Sequence, residues 1–152
     1  MKAVVYNIKP FEKEFLAKAN QKKHDITLIA NPLGIDTVNY AEGKDAAIVF
    51  TNDDVSALVI RKLAALGVKY IVTCSAETDH IDKRAAAIYG IKLSNVPSYS
   101  PQGGTTDEDL QEAANQTIQN LDLWQQNKCV GKACACDKDC KNNLFTKTQP
   151  SK

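Results

Sequence analysis

Four cysteines crowd the C-terminal stretch "CVGKACACDKDC", with the spacing C-x4-C-x-C-x3-C over Cys129, Cys134, Cys136 and Cys140. Thiolates are soft ligands, but zinc sites of the finger type pair C-x2-4-C units across a longer loop, and only part of that pattern is present. Three readings stay open: a compact soft-metal clasp, adventitious disulfides, or a reduced and loosely attached tail, the last being the simplest. Cys74 stands apart, inside the apolar run "KYIVTCS", as a single thiol of a strand core. The two histidines, His24 and His80, flank predicted elements and are expected in surface or capping roles.

Acids and amides gather at what would be strand ends, in "NIKP" (7–10), "FTNDD" (50–54) and "SAETD" (75–79). Three chemistries can be tested on them. A flavin-phosphate loop would be rich in Ser, Thr and Gly after the first strand, where this chain has "NIKPFEKE". A phospho-receiver site needs acids after strand one, an aspartate ending strand three and a lysine ending strand five. Only Asp53 and Asp54 answer to any of this. A dinucleotide fingerprint needs G-x-G-x-x-G, and no G-x-G occurs.

The elements that would position these groups alternate. "KAVVYNI", "DITLIA", "AAIVF", "KYIVTCS" and "IKLSNV" are short β-branched runs. Between them lie the helix "PFEKEFLAKANQKK", opened by Pro10, an irregular segment "NPLGIDTVNYAEGK" with room for one helical stretch, and the helices "DDVSALVIRKLAALG" and "HIDKRAAAIYG". Gly67 and Gly90 end two of the helices just before strands. A fifth helix is predicted over "TTDEDLQEAANQTIQNLDLWQQ", with Leu110, Ala113, Ala114, Thr117, Ile118, Leu121 and Trp124 on one face. Thr105 or Thr106 would cap it, and Glu108 or Asp109 would close the box. This order predicts an α/β, flavodoxin-like three-layer sandwich: a five-stranded parallel sheet, order 2-1-3-4-5, with helices on both faces. The folded unit is expected over residues 1–126, with 127–152 as a Cys-rich tail.

Length and charge bound the rest. The 152 residues fit one domain, the net charge is +1, and no basic stripe interleaves with aromatics, so nucleic acid is not the expected partner. No apolar run approaches the ~20 residues of a membrane span, and "MKAVVYNIKP" reads as a strand rather than a leader. A cytoplasmic protein without membrane association is the expectation.

The segment "VTCSAETDHIDKRAAAIYGIKLSNVPSYSPQ" (72–102) is more specific. Asp79, Ile81, Asp82, Gly90, Asn95, Val96, Pro97, Tyr99, Ser100 and Pro101 resemble a run in the D-isomer-specific 2-hydroxyacid dehydrogenases, particularly the D-lactate dehydrogenase branch. The resemblance extends more loosely over residues 1–102. It implies that a nucleotide-binding domain should follow Gln102, and that the chain should then return as a terminal helix like the one after Thr105. Gly103-Gly104 therefore looks like a join that replaces a whole domain, on the order of 150 residues. Such a glycine pair is an engineer's choice because Gly accepts almost any backbone angles. A natural short loop is the rival.

The resemblance also implies that the acid/base histidine, its orienting glutamate and the substrate-binding arginine fall in the missing segment. This chain would then hold no NAD, which belongs to the intact parent, and would have no dehydrogenase activity alone. It would retain half a pocket for a small 2-hydroxy or 2-oxo acid: Ser75 and the backbone amides of Ala76 and Glu77 near the carboxylate, with Phe50 and Tyr99 walling the side chain. Glu77 stands where the family usually has glycine. A monomer is expected, since family dimers form mainly through the nucleotide domain. Two other classes remain: a natural stand-alone flavodoxin-like binding module for a small carboxylate or a protein partner, and a metal-handling protein acting through its tail.

Overall fold

The computed structural model describes residues 1–97 and 106–136. The strands are β1 (Lys2–Val5), β2 (Asp25–Leu28), β3 (Ala46–Val49), β4 (Tyr70–Thr73) and β5 (Lys92–Ser94), and the helices are α1 (Pro10–Asn20), α2 (Ala57–Ala65), α3 (Lys83–Ile88) and α4 (Asp107–Gln125). The irregular β2–β3 connection contributes one 3-10 turn, Val38–Ala41. All four strand pairings are parallel and the order is β2-β1-β3-β4-β5. The predicted sheet order and fold class are those of the structure.

Strand alternation sorts the core into two layers, because successive side chains leave opposite faces of a sheet. Val4, Ala47, Val49, Ile71 and Leu93 meet Val59, Ile60 and Leu63 of α2 and Ala85 and Ala86 of α3. Ala3, Val5, Ala46, Ile48 and Val72 meet Leu16 of α1 and Ile118, Leu121 and Trp124 of α4. Every residue of β3 is buried, as a central strand covered on both faces must be.

The helix ends follow their local chemistry. Pro10 opens α1, and Glu12 Oε1 accepts the Lys9 backbone N–H at 2.8 Å. Gly67 and Gly90 end α2 and α3 at φ +102° and +74°, a region that favours glycine, and this turns the chain back into β4 and β5. At α4 the sequence left two caps open. Thr106 is the cap, its Oγ1 accepting Asp109 N–H at 3.1 Å while Asp109 Oδ2 accepts Thr106 N–H at 3.2 Å. Helix α4 lies against α1, and Trp124 stacks on Tyr70 with ring centroids 4.7 Å apart. The glycine pair and Thr105 lie outside the described residues.

Of residues 127–136, read from sequence as the start of a loose tail, Ala133, Cys134 and Ala135 pair with the free edge of β5. Val130 and Ala133 are buried. Asn95 N–H donates to Ala133 O at 2.8 Å, Ala135 N–H to Leu93 O at 3.0 Å, and Cys134 forms an antiparallel bridge with Ser94. Apolar side chains at 130 and 133 together with an unpaired strand edge explain the packing. Residues 137–152, including Cys140, lie outside the described residues.

Candidate functional site

The carboxyl ends of the parallel strands meet α1 and α4 in a groove of about 260 Å³, lined by Asn7, Lys9, Phe11, Glu12, Phe50, Thr51, Asn52, Cys74, Ser75 and Leu110. Beneath it a smaller apolar void of about 40 Å³ reaches inward between α1 and α4, past Phe15, Ala113 and Thr117. Glu12, Phe50, Cys74 and Leu110 line both spaces. Ligands of open α/β sheets bind beyond the strand carboxyl ends, and this groove is at that place.

Asp53 organises the groove. It is 3% exposed, its Oδ1 accepts Leu33 N–H at 2.9 Å and its Oδ2 accepts Phe50 N–H at 2.7 Å. The Asn7 side chain also hydrogen-bonds to it. Burial pushes the Asp53 carboxyl above its ordinary range, and these hydrogen bonds oppose that push. The effect is to tie the exits of β1, β2 and β3 together behind Phe50. Asn7 adopts a left-handed backbone, φ 62°, which Asn tolerates better than most residues, and its Oδ1 accepts from Lys9 Nζ at 3.3 Å.

Cys74 shows why a thiol in a groove need not be reactive. Thr117 Oγ1 donates to Ala113 O at 2.9 Å, which leaves its lone pairs to accept the Cys74 S–H at 3.4 Å. Burial pushes this thiol up to about 12, so it stays protonated and inert.

The five residues assigned to substrate contact from the sequence are placed unequally. Phe50 lines the groove as a wall. Ser75 also lines it, but its Oγ accepts Glu77 N–H at 3.0 Å. That bond engages one of the two amides expected to take a carboxylate. Ala76 and Glu77 are exposed and do not line the groove. Glu77 is not in the left-handed region, so glutamate in place of glycine brings no backbone strain there. Tyr99 lies outside the described residues. Lys9, Glu12 and Leu110 were not assigned to the site from sequence, although Glu12 sits three residues past the Lys9 cap, where a carboxylate first serves the helix end.

The histidines do not reach the groove. His80 Nε2 is 3.2 Å from Thr73 Oγ1, which points to the α2–α3 side of the sheet; burial pushes the His80 imidazole down. His24, expected near the surface, is 5% exposed at the opposite end of the sheet. Its Nε2 lies 2.7 Å from Asp122 Oδ1 and its Nδ1 3.1 Å from the Met1 amine. Its burial depends on a partner acid on α4 that is 98 residues away in sequence.

The β1–α1 turn does not fit a dinucleotide. The β1–α1 turn, where a pyrophosphate would sit, is Tyr6–Lys9 followed by Pro10, with no glycine, and Glu12 puts a carboxylate in the first turn of α1. No group of three or more His, Cys, Asp or Glu side chains among the described residues could hold a metal ion, and no described helix is long and apolar enough to cross a membrane.

The sequence matches the catalytic-domain profile of the D-isomer specific 2-hydroxyacid dehydrogenases over residues 3–134. A D-lactate dehydrogenase of Curvularia clavata is 37% identical over 107 residues, covering 67% of this chain and 31% of its own. The apo structure of the Escherichia coli D-lactate dehydrogenase, 34% identical, superposes with a TM-score of 0.64 over 67% of this chain and 33% of its own. The Salmonella D-lactate dehydrogenase structure, 30% identical with a TM-score of 0.64, is matched over 84% of this chain and 37% of its own. The chain spans about a third of the length of these relatives. It belongs to the D-isomer specific 2-hydroxyacid dehydrogenase family, through that family's catalytic domain.

Proposed function

We propose that this chain is the substrate-binding domain of an NAD-dependent, D-lactate-like 2-hydroxyacid dehydrogenase, rejoined at Gly103-Gly104 by engineering where the nucleotide-binding domain was taken out. It folds as a unit over residues 1–126, with residues 130–136 packed against the β5 edge, and has no dehydrogenase activity alone. The observation that carries this reading is the seating of α4: although it follows the glycine pair, Ile118, Leu121 and Trp124 complete the same core layer as β1 and β3. A domain whose last helix returns to it after a long insertion retains such packing when the insertion is removed.

The coverage of the relatives supports the reading. The 84% match to the Salmonella enzyme amounts to about 128 of 152 residues, more than the 102 ahead of the glycine pair, yet takes in only 37% of that enzyme. What remains here is the substrate side of a cleft, with Phe50 and Ser75 facing a groove and no dinucleotide turn among the described residues. The hydride carrier and its protein holder do the redox chemistry in such enzymes, so the half-cleft binds but does not turn over.

The test is an NADH-oxidation assay with pyruvate at high protein concentration. No rate above buffer is expected, and insertion of a relative's nucleotide-binding domain between Gln102 and Thr105 should restore turnover. Turnover by the chain as it stands, or an inert reassembled enzyme that folds and binds NADH, would contradict the reading.

A further inference from the structure

The groove at the strand ends holds one cationic side chain and one carboxylate, three residues apart on the start of α1. We propose that Lys9 and Glu12 bind a small 2-hydroxy acid there, Lys9 taking the carboxylate and Glu12 accepting a hydrogen bond from the 2-hydroxyl, with the ligand's side chain along Phe50 and Leu110. The half-cleft reading enters only in the choice of 2-hydroxy acids as the ligand class.

Each part follows from the lining of the groove. A carboxylate entering a partly apolar cleft needs a cation or several amides, and Lys9 is the one lysine or arginine among the described lining residues. It is held at the mouth: Nζ donates to Asn7 Oδ1 at 3.3 Å, and the Asn7 side chain hydrogen-bonds to the buried Asp53 carboxylate. The amide of Glu77, which could have served instead, is engaged by Ser75 Oγ at 3.0 Å.

Glu12 lines both the mouth and the inner void. Its Oε1 accepts the Lys9 backbone N–H at 2.8 Å, and its Oε2 makes no hydrogen bond or ion pair among the described residues. An ionised carboxylate only accepts, so a hydroxyl donor beside it gains a charge-assisted bond. A carbonyl in the same place presents lone pairs to lone pairs. The groove therefore prefers the 2-hydroxy acid to its 2-oxo counterpart. Behind Glu12, Phe50, Leu110 and the protonated Cys74 offer an uncharged surface to an aliphatic side chain.

The experiment is a titration of the ¹⁵N-labelled chain with 2-hydroxyisocaproate and, separately, with its 2-oxo counterpart. Saturable shifts are expected for the backbone amides of Asn7, Lys9, Glu12, Phe50, Ser75 and Leu110, with the hydroxy acid the tighter ligand by roughly tenfold. Lys9→Met should weaken both ligands by about the same factor, and Lys9→Arg should retain them. Glu12→Gln, whose amide both donates and accepts, should close the gap between the two ligands while the spectrum stays that of the folded chain. Absent or scattered shifts, a Lys9→Met chain that binds as before, or a gap untouched by Glu12→Gln would each overturn the proposal. Those outcomes leave the half-cleft reading standing, because that reading is decided by turnover of the reassembled enzyme. An inert reassembled enzyme leaves this titration to be judged by its own shifts.

Discussion

The two faces of the sheet are built from different parts of the chain. The face under α2 and α3 draws both its α-helices from residues 57–88, contiguous in sequence. The face under α1 and α4 joins residues 10–20 to residues 107–125 across the glycine pair. Their character differs accordingly. The first includes Tyr6, whose hydroxyl donates to Thr37 O at 2.9 Å. The second carries the groove, the inner void, the Cys74–Thr117 contact and the His24–Asp122 pair. The candidate groove thus lies on the face that joins α1 to α4 across the glycine pair.

The strongest way to break this comparison is to weaken each face in turn. Trp124→Ala on α4 should cost about 3–5 kcal/mol by chemical denaturation, and Leu63→Ala on α2 about 2–5 kcal/mol. Comparable losses mean that both faces belong to one cooperative core. A Trp124→Ala change below ~1 kcal/mol would mean that α4 does not share it.

A smaller effect separates the faces by their buried weak acids. Burial pushes Tyr6, on the α2–α3 face, from 10.0 to about 12, and Cys74, on the α1–α4 face, from 9.0 to about 12. In each case the unfolded chain loses its proton first, so between the unfolded and folded values it binds fewer protons and stability falls as pH rises. The denaturation midpoint should decline from about pH 9 toward 12. Cys74→Ala should remove the early part of the decline and Tyr6→Phe the later part. Tyr6→Phe should also cost about 1 kcal/mol at neutral pH by loss of its hydroxyl bonds.

The smallest effect concerns the polar clasp. Partial burial pushes the Asp122 carboxyl up, but hydrogen bonds and charge from Lys23 and His24 outweigh it and hold the group below its ordinary value. A lowered carboxyl contributes stability above its unfolded value of 3.8 and loses it as pH falls through the folded value. Asp122→Asn should therefore cost at most about 1 kcal/mol at pH 7 and flatten the acid limb below about pH 4, both read by denaturant titration at stepped pH. An unchanged acid limb would remove the clasp from the account.

Much of the fold was legible because its determinants are local. Short β-branched runs, the glycines at 67 and 90, and the apolar stripe of α4 each report their element within a few residues. The place of the candidate groove was legible in outline, since strand ends could be located, and Phe50 and Ser75 line it. Its lining was not. Lys9 was placed at a strand end and Glu12 inside a helix, but only the approach of α4 through Leu110, about a hundred residues on, makes them walls of a groove. His24 was misplaced for the same reason, because the acid that buries it lies on α4. The stretch at 130–136 read as part of a loose tail because it has no periodicity of its own; Val130 and Ala133 gain their burial only from the distant β5 edge.

The central claim is that α4 closes the core it shares with β1 and β3, and native-state hydrogen exchange tests it most directly. Amides of Ile118, Leu121 and Trp124 should open with the same free energy as those of Val5 and Ile48, the global value for the domain. Fast exchange along α4 while the sheet stays protected would contradict it.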